Sequence, residues 1–230
     1  MSRGGYASLN LSYNVGDDPE AVRTNLQNLR ETIPLSAPLY RVAQVHGSHV
    51  VSIEEMGEPT TESLNGPPAL EADGIIATTG DALLAVQTAD CAPVLLADPQ
   101  TRIVSAVHAG WKGNARGIIR KAVRKMSHAG AHPANIVAAI GPCICLACYE
   151  VGEEVAKCFP ESADPIKGKP GKHLLDLSLA ITVSLIGAGL SDNNIDSLGR
   201  CTRCEKESFF SYRRDGAATG RMLGLISAAR

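Results

Sequence analysis

With 230 residues, of which 44% are hydrophobic, the chain carries enough apolar side chains for one substantial core, and it is read as a single domain over residues 1–230. A formal net charge of -2 and an isoelectric point near 6.3 leave no basic excess to neutralise phosphates, and one Trp, five Tyr and three Phe leave little for base stacking, so nucleic acid and membrane surfaces are excluded as main partners. The opening Met1-Ser-Arg-Gly-Gly-Tyr lacks a signal pattern and no run approaches the ~18 apolar residues of a span. Seven cysteines, an odd number away from disulfide-framework spacings, fit a reducing compartment, so a cytoplasmic protein is expected.

Asp18 as a cap and Pro19 at the first helical position start a helix through Arg30, with Val22, Leu26 and Leu29 as its apolar stripe. Residues 40–46 and 50–53 read as two strands with Gly47 and Ser48 at the turn, which puts His46 at a strand end. On its own His46 is read as a solvated loop histidine, as is His49. Pro59, Gly66, Pro67 and Pro68 mark residues 57–71 as a long surface loop of the kind that covers sites. Residues 72–78 and 82–87 read as two buried strands joined across Thr79, Gly80 and Asp81.

The stretch from Gln87 to Gly113 organises the rest. Val94-Leu95-Leu96-Ala97 and Ile103-Val104-Ser105-Ala106-Val107 flank the turn residues 98–101 and predict a β-hairpin. Cys91 just before the first strand and His108 just after the second then fall at the same end of the sheet. Gly110 and Gly113 flank Trp111 on the way into a helix, where backbone comes close to a ligand. A thiol beside an imidazole has three readings: nucleophile and base, two metal ligands, or a buried apolar Cys beside a histidine satisfied by backbone.

Residues 115–129 carry Ile118, Ile119, Ala122, Val123 and Met126 at helical spacing, with a solvated basic face opposite. A strand at 136–140, a short helix from Glu153, an apolar helix over 174–190 and a last strand at 222–226 follow. Arg213 and Arg214, near paired aromatics, either bind an anionic group or tie down the last strand through carboxylates. The mixture of strands and helices, with hairpin-joined neighbours, predicts an α/β (α+β) layered sandwich with mixed β-sheets and flanking helices.

Two constellations stand out. His46, Cys91 and His108 offer nitrogen, sulfur and nitrogen, a set that suits Zn²⁺ and leaves the fourth tetrahedral position open. Cys145-x-x-Cys148 with Cys201-x-x-Cys204 formally matches the paired knuckles of a Cys₄ zinc site. The separation is far longer than in a ribbon, and Cys143 and Cys158 complicate the count, so reduced thiols packed as small hydrophobes are the expectation there.

Several motifs in one order then carry a resemblance across almost the whole chain: Asn10-Leu-Ser-Tyr-Asn-Val, Gln44-Val-His46-Gly47, Ala72-Asp73-Gly74, Thr88-Ala-Asp-Cys91, Val107-His108-Ala-Gly-Trp-Lys-Gly113, Cys148-Tyr-Glu-Val-Gly152 and Phe209-Phe-Ser-Tyr-Arg-Arg-Asp215. The chain resembles the YfiH or polyphenol oxidase (laccase-like, LACC1-domain) family of purine nucleoside phosphorylases. The resemblance implies a layered α/β sandwich with a metal site at His46, Cys91 and His108, occupied by zinc, with copper as the alternative ion. It also implies phosphorolysis of adenosine, inosine and methylthioadenosine to base and ribose 1-phosphate, with adenosine deamination alongside. Purine nucleosides and phosphate are the implied partners, with Arg213 and Lys112 as candidates for holding phosphate. Trp111 is read as core packing, with stacking on the base as the alternative. Relative to the family pattern, Lys112 stands where Arg is common, residues 141–148 are rich in cysteine, and the N-terminus begins late, as if a leading strand were missing or shortened.

Three rivals remain open at this point. A laccase-like copper polyphenol oxidase needs many imidazoles, and six histidines with three already assigned are few for a blue-copper site plus a trinuclear cluster. A Cys-His hydrolase or amidase would use Cys91 as nucleophile, His108 as base and His46 as orienter. A nucleoside-binding module would bind without turnover.

Overall fold

A computed structural model describes residues 1–33, 37–57, 66–78 and 82–227. Of the long loop expected over 57–71, residues 58–65 lie outside the described residues, as do 79–81, which join the two strands expected over 72–87. Among the described residues, twelve strands form three sheets. The first third of the chain supplies β1 (Leu39–Tyr40), β2 (Val50–Ser52), β3 (Gly74–Ala77) and β4 (Leu83–Thr88). The middle supplies β5 (Ala92–Ala97), β6 (Val104–Ala109), β7 (Val137–Ile140) and β8 (Glu150–Gly152), and the remainder β9 (Ala163–Pro165), β10 (Lys172–Leu175), β11 (Ile195–Ser197) and β12 (Met222–Ser227).

The expected hairpin is the middle of the largest sheet, whose order is β11-β7-β5-β6-β3-β2. β5 and β6 pair antiparallel, with Ala92 opposite Ala109 and Pro93 opposite His108. Asp98 closes the turn: its carboxylate accepts the Gln100 and Thr101 amides at 2.9 and 3.3 Å and reaches across to the His132 amide at 2.9 Å. The sheet is mixed, because β2 runs parallel to β3 and β11 parallel to β7. A second mixed sheet has the order β1-β4-β12, and β8-β10-β9 is antiparallel.

Strand periodicity sorts the core into layers. Ile76, Val94, Leu96 and Val107 point to the helical side, where they join Ile118, Ile119, Val123, Ile181 and Leu185. Ile75, Ala77, Val104 and Ala106 point the other way, onto Leu84 and Val86 of β4. Covered on both faces, β3 and β6 are buried at every position, Ser105 and His108 of β6 included.

The first helix is α1 (Pro19–Thr32), with Asp18 accepting the Glu20 amide as its cap. After α2 (Ile53–Met56) and a short α3 (Trp111–Ala115), the helix expected over 115–129 is found as α4 (Ile118–His128), its start set by Gly117 at φ 74°. The five apolar residues expected to face the core, Ile118 to Met126, are those buried in α4. The short helix from Glu153 is α5 (Glu153–Ala156). The helix expected over 174–190 shrinks to α6 (Leu177–Ile186), since Leu174 and Leu175 belong to β10 and Asp176 caps the helix by accepting the Leu179 amide. The last helix is α7 (Tyr212–Asp215).

Two pairs of strands that are neighbours in sequence do not pair with each other among the described residues. β1 and β2 do not pair with each other; β1 runs parallel to β4 and β2 parallel to β3. β3 and β4, also read as joined neighbours, lie in different sheets and pack face to face. β3 and β4 come from apolar runs without alternation, which mark burial but do not say whether a strand is bonded edge to edge or stacked. His46 therefore sits in a loop rather than at a hairpin end.

Candidate metal centre

The start of β5 and the end of β6 define the site. Cys91 immediately precedes β5, and His108 is the fifth residue of β6, within the strand rather than after it. Antiparallel pairing brings the two together, as their spacing around the turn requires. His46 arrives from the loop between β1 and β2 with φ 56°, a left-handed backbone uncommon for residues other than glycine.

Asp73 produces that loop. Fully buried just before β3, its carboxylate accepts the amides of Val45, His46 and Gly47 at 3.3, 3.0 and 2.6 Å. The same oxygen that takes the His46 amide accepts Nδ1–H of His108 at 2.8 Å. One carboxylate thus shapes the backbone that presents one imidazole and fixes the tautomer of the other, leaving Nε2 of His108 for the cluster. One ligating atom each from His46, Cys91 and His108 lies within 4.8 Å of the others. The two rings stand edge to face, 4.9 Å apart at 80°. At Gly110 a Cβ would come within 2.7 Å of Cys91 Sγ, so only glycine fits beside the sulfur.

The electrostatics favour an ionised pair. Burial pushes the Cys91 thiol up, but charge and hydrogen bonding from His108, then from His46, outweigh it and bring the pKa down to about 6. Burial works against protonated His108, yet the Cys91 thiolate and Asp73 lift its pKa to about 9. Asp73 is held below the usual carboxylate range because His108 and the Gly47 and Val45 amides overcome the penalty of its burial. Two nitrogens, a thiolate and a carboxylate behind one ring form a donor set that fits Zn²⁺ with a fourth position free.

These groups open on a cavity of about 540 Å³, large enough for a small organic substrate. Trp111, Lys112, Tyr149, Arg213 and Arg221 line it. Trp111 also packs against the Val151 and Leu175 cluster, so it serves the core as expected while presenting an edge to the cavity. Arg213 lies over the Tyr149 ring at 5.0 Å and donates from Nη1 to the Glu150 carbonyl at 3.0 Å. The Lys112 ammonium is 5.7 Å from the Trp111 ring centre. Arg214 is spent on structure, donating to the carbonyls of Thr202, Arg203 and Phe209 and pairing with Asp215. It ties its own loop together rather than the last strand. His49 is exposed away from the cluster.

Sequence reasoning missed two buried carboxylates. Asp73 entered only as part of a motif, although a charged residue leading into a wholly apolar strand is a signal of buried pairing. Asp90, at φ 89°, accepts Thr202 Oγ1–H and Ser211 Oγ–H at 2.7 Å and the Arg213 amide at 2.6 Å. It thereby docks the 202–213 segment onto the residue beside Cys91. Arg221, partly buried at the cavity, was also passed over. The structure further gathers the sulfurs of Cys145, Cys148, Cys201 and Cys204 within 4.8 Å of one another, against the expectation of separately packed thiols.

Comparison with known proteins agrees with this architecture. A purine nucleoside phosphorylase of Deinococcus radiodurans is 39% identical over 233 residues, covering 100% of this chain and 86% of that protein. An adenosine deaminase, RL5, from an unknown prokaryotic organism is 35% identical over 228 residues, covering 95% and 86%. The crystal structure of the hypothetical protein YfiH of Bacillus licheniformis superposes with a TM-score of 0.90 at 30% identity, covering 99% of this chain and 88% of that one. Residues 1–229 match the family described as multi-copper polyphenol oxidoreductase laccase, and the chain belongs to that family, the YfiH family.

Proposed function

We propose that this chain is a metal-dependent purine nucleoside enzyme. It uses phosphate to cleave adenosine, inosine and methylthioadenosine into base and ribose 1-phosphate, and it deaminates adenosine at the same site. The observation that carries the reading is the convergence of His46, Cys91 and His108 on one seat at the wall of the 540 Å³ cavity. The names of the relatives, a purine nucleoside phosphorylase and an adenosine deaminase, support the substrate class.

His46, Cys91 and His108 would hold the metal, and Zn²⁺ bound there would supply Lewis acidity next to the substrate, enough to activate water near neutral pH. The chain's own groups do the rest. In phosphorolysis a phosphate oxygen bonds to the ribose C1′ while the C1′–N9 bond breaks and its electron pair leaves with the purine, which departs neutral by taking up the proton that the attacking dihydrogen phosphate gives up, directly or through solvent. Lys112 and Arg213 hold the phosphate, with Arg221 the third cation at the cavity. Trp111 and Tyr149 bound the cavity and exclude water from the developing cation at C1′. In deamination water adds at C6 of the purine and ammonia leaves. Asp73 keeps the His108 ring in one orientation throughout.

A second reading has a specific observation behind it: Asp73, His108 and Cys91 follow the carboxylate, imidazole, thiol order of a nucleophilic triad, with Asp73 rather than His46 as orienter. The second imidazole beside the sulfur favours coordination instead, because a nucleophile needs no further nitrogen there. With metal bound, Cys91 is expected to resist iodoacetamide, whereas a nucleophile would react. The copper oxidase reading has the family's description behind it, but among the described residues only two histidines, His46 and His108, join a cluster of metal-ligating groups, too few for a blue-copper site and a trinuclear cluster.

The test is product identification from adenosine on zinc-loaded protein, with and without phosphate. Adenine that forms only with phosphate, and inosine that forms without it, are the expected products. Neither product at full metal loading would overturn the reading.

A further inference from the structure

The cysteine-rich segment before β8 and the segment before α7 are distant in sequence, yet they meet beside the cavity. Cys143 and Cys201 form a parallel bridge, with the Cys143 amide donating to the Arg200 carbonyl at 3.2 Å and the Thr202 amide to the Cys143 carbonyl at 3.1 Å. This contact sets two Cys-x-x-Cys turns face to face. The sulfurs of Cys145, Cys148, Cys201 and Cys204 all lie within 4.8 Å of one another, and Cys148 and Cys204 approach to 3.3 Å.

Four thiolates at about 2.3 Å from a tetrahedral ion would sit about 3.8 Å apart, inside the spread observed. The backbone is arranged for sulfur that carries negative charge: the amides of Cys145 and Cys204 both point at Cys201 Sγ, 3.4 Å away. All four cysteines are free of disulfides. Packing as small hydrophobes does not explain the group, because Cys204 is exposed and Cys145 and Cys148 are only half-buried, leaving Cys201 as its one buried member. Two turns with the same spacing, each giving two sulfurs to one point, are the pattern of a closed structural site.

We propose that Cys145, Cys148, Cys201 and Cys204 hold a second ion, Zn²⁺ in a closed tetrathiolate site, distinct from the His46, Cys91 and His108 seat. With four protein ligands it has no open position and takes no part in chemistry. Its role is to clamp two stretches that build the cavity wall. Tyr149 follows Cys148 directly, and the Glu150 carbonyl receives Arg213. Thr202, between the paired cysteines of the other turn, donates to Asp90, the neighbour of Cys91. Closing a loop of roughly 50 residues in this way removes chain entropy from the unfolded state.

Zinc content measured on protein purified under reducing conditions tests the proposal without any substrate, so its outcome is independent of the nucleoside reading. The full chain is expected to carry two equivalents, the His46→Ala/His108→Ala variant one, and the Cys148→Ser/Cys204→Ser variant one. Replacing zinc with Co²⁺ in the His46→Ala/His108→Ala variant is expected to give the strong sulfur-to-cobalt charge-transfer absorption of several thiolates, a readout that stands even if the serine variant fails to fold. A Cys148→Ser/Cys204→Ser variant that keeps all the zinc of the parent would overturn the proposal. So would a colourless cobalt form of the His46→Ala/His108→Ala variant, iron in place of zinc, or a Cys148–Cys204 disulfide in the reduced preparation.

Discussion

At Asp73 one carboxylate serves two imidazoles, holding His108 directly and His46 through its loop backbone. Asp73→Asn keeps the size but loses the charge and one acceptor, so Zn²⁺ affinity at the neighbouring seat is expected to fall on the order of 10–100-fold, read by competition with a chelator. Gly110→Ala is sharper, because its methyl would meet Cys91 Sγ at 2.7 Å. The variant is expected to fold with unchanged circular dichroism and to lose one equivalent of zinc. Lys112→Ala and Arg213→Ala each remove a charge offered to phosphate, and each is expected to raise KM for phosphate about 10-fold or more while leaving phosphate-independent deamination near its parent rate. The three clustered side chains were legible in the sequence because ligand chemistry is written in residue type. Asp73 and Asp90 were not, because a carboxylate that works by accepting amides from distant segments leaves no local spacing to read.

At the scale of elements, the β5–β6 hairpin holds the seat, and its turn depends on Asp98. That carboxylate is almost fully buried and accepts three backbone amides, one of them from His132 beyond α4. Asp98→Ala strands those donors and is expected to cost about 1–3 kcal/mol in urea unfolding. The His132, Gln100 and Thr101 amides outweigh the burial penalty and hold Asp98 below its ordinary value. Its contribution is therefore complete above the unfolded carboxylate value of about 4 and is lost as pH falls through the lower folded value. The parent should lose stability relative to Asp98→Ala over that acidic window, and a constant difference would contradict the assignment. The hairpin was legible because turn residues separate two short runs. The start of α4 after Gly117 was not, since α3 and α4 together keep a helical pattern across that glycine.

Across the whole molecule, the layered α/β architecture followed from the mixture of elements, but strand pairing did not. β3 and β4 are neighbours in sequence and partners across the core rather than along an edge, and apolar runs buried on both faces look alike in either arrangement. That arrangement sets two sheets, the cysteine-rich segment and the 202–213 segment around one cavity, so a metal bound at the His46, Cys91 and His108 seat would be coupled to the fold. Chelation is expected to lower Tm, and zinc in excess over its Kd to restore it; at 100-fold excess a single site contributes about 2.7 kcal/mol. Anomalous diffraction at the zinc edge, from crystals of zinc-loaded protein that turns over adenosine, bears most directly on the account. It predicts a peak bonded to His46, Cys91 and His108 with its open side towards the cavity, and an active, zinc-loaded crystal with no peak at those three residues would contradict it.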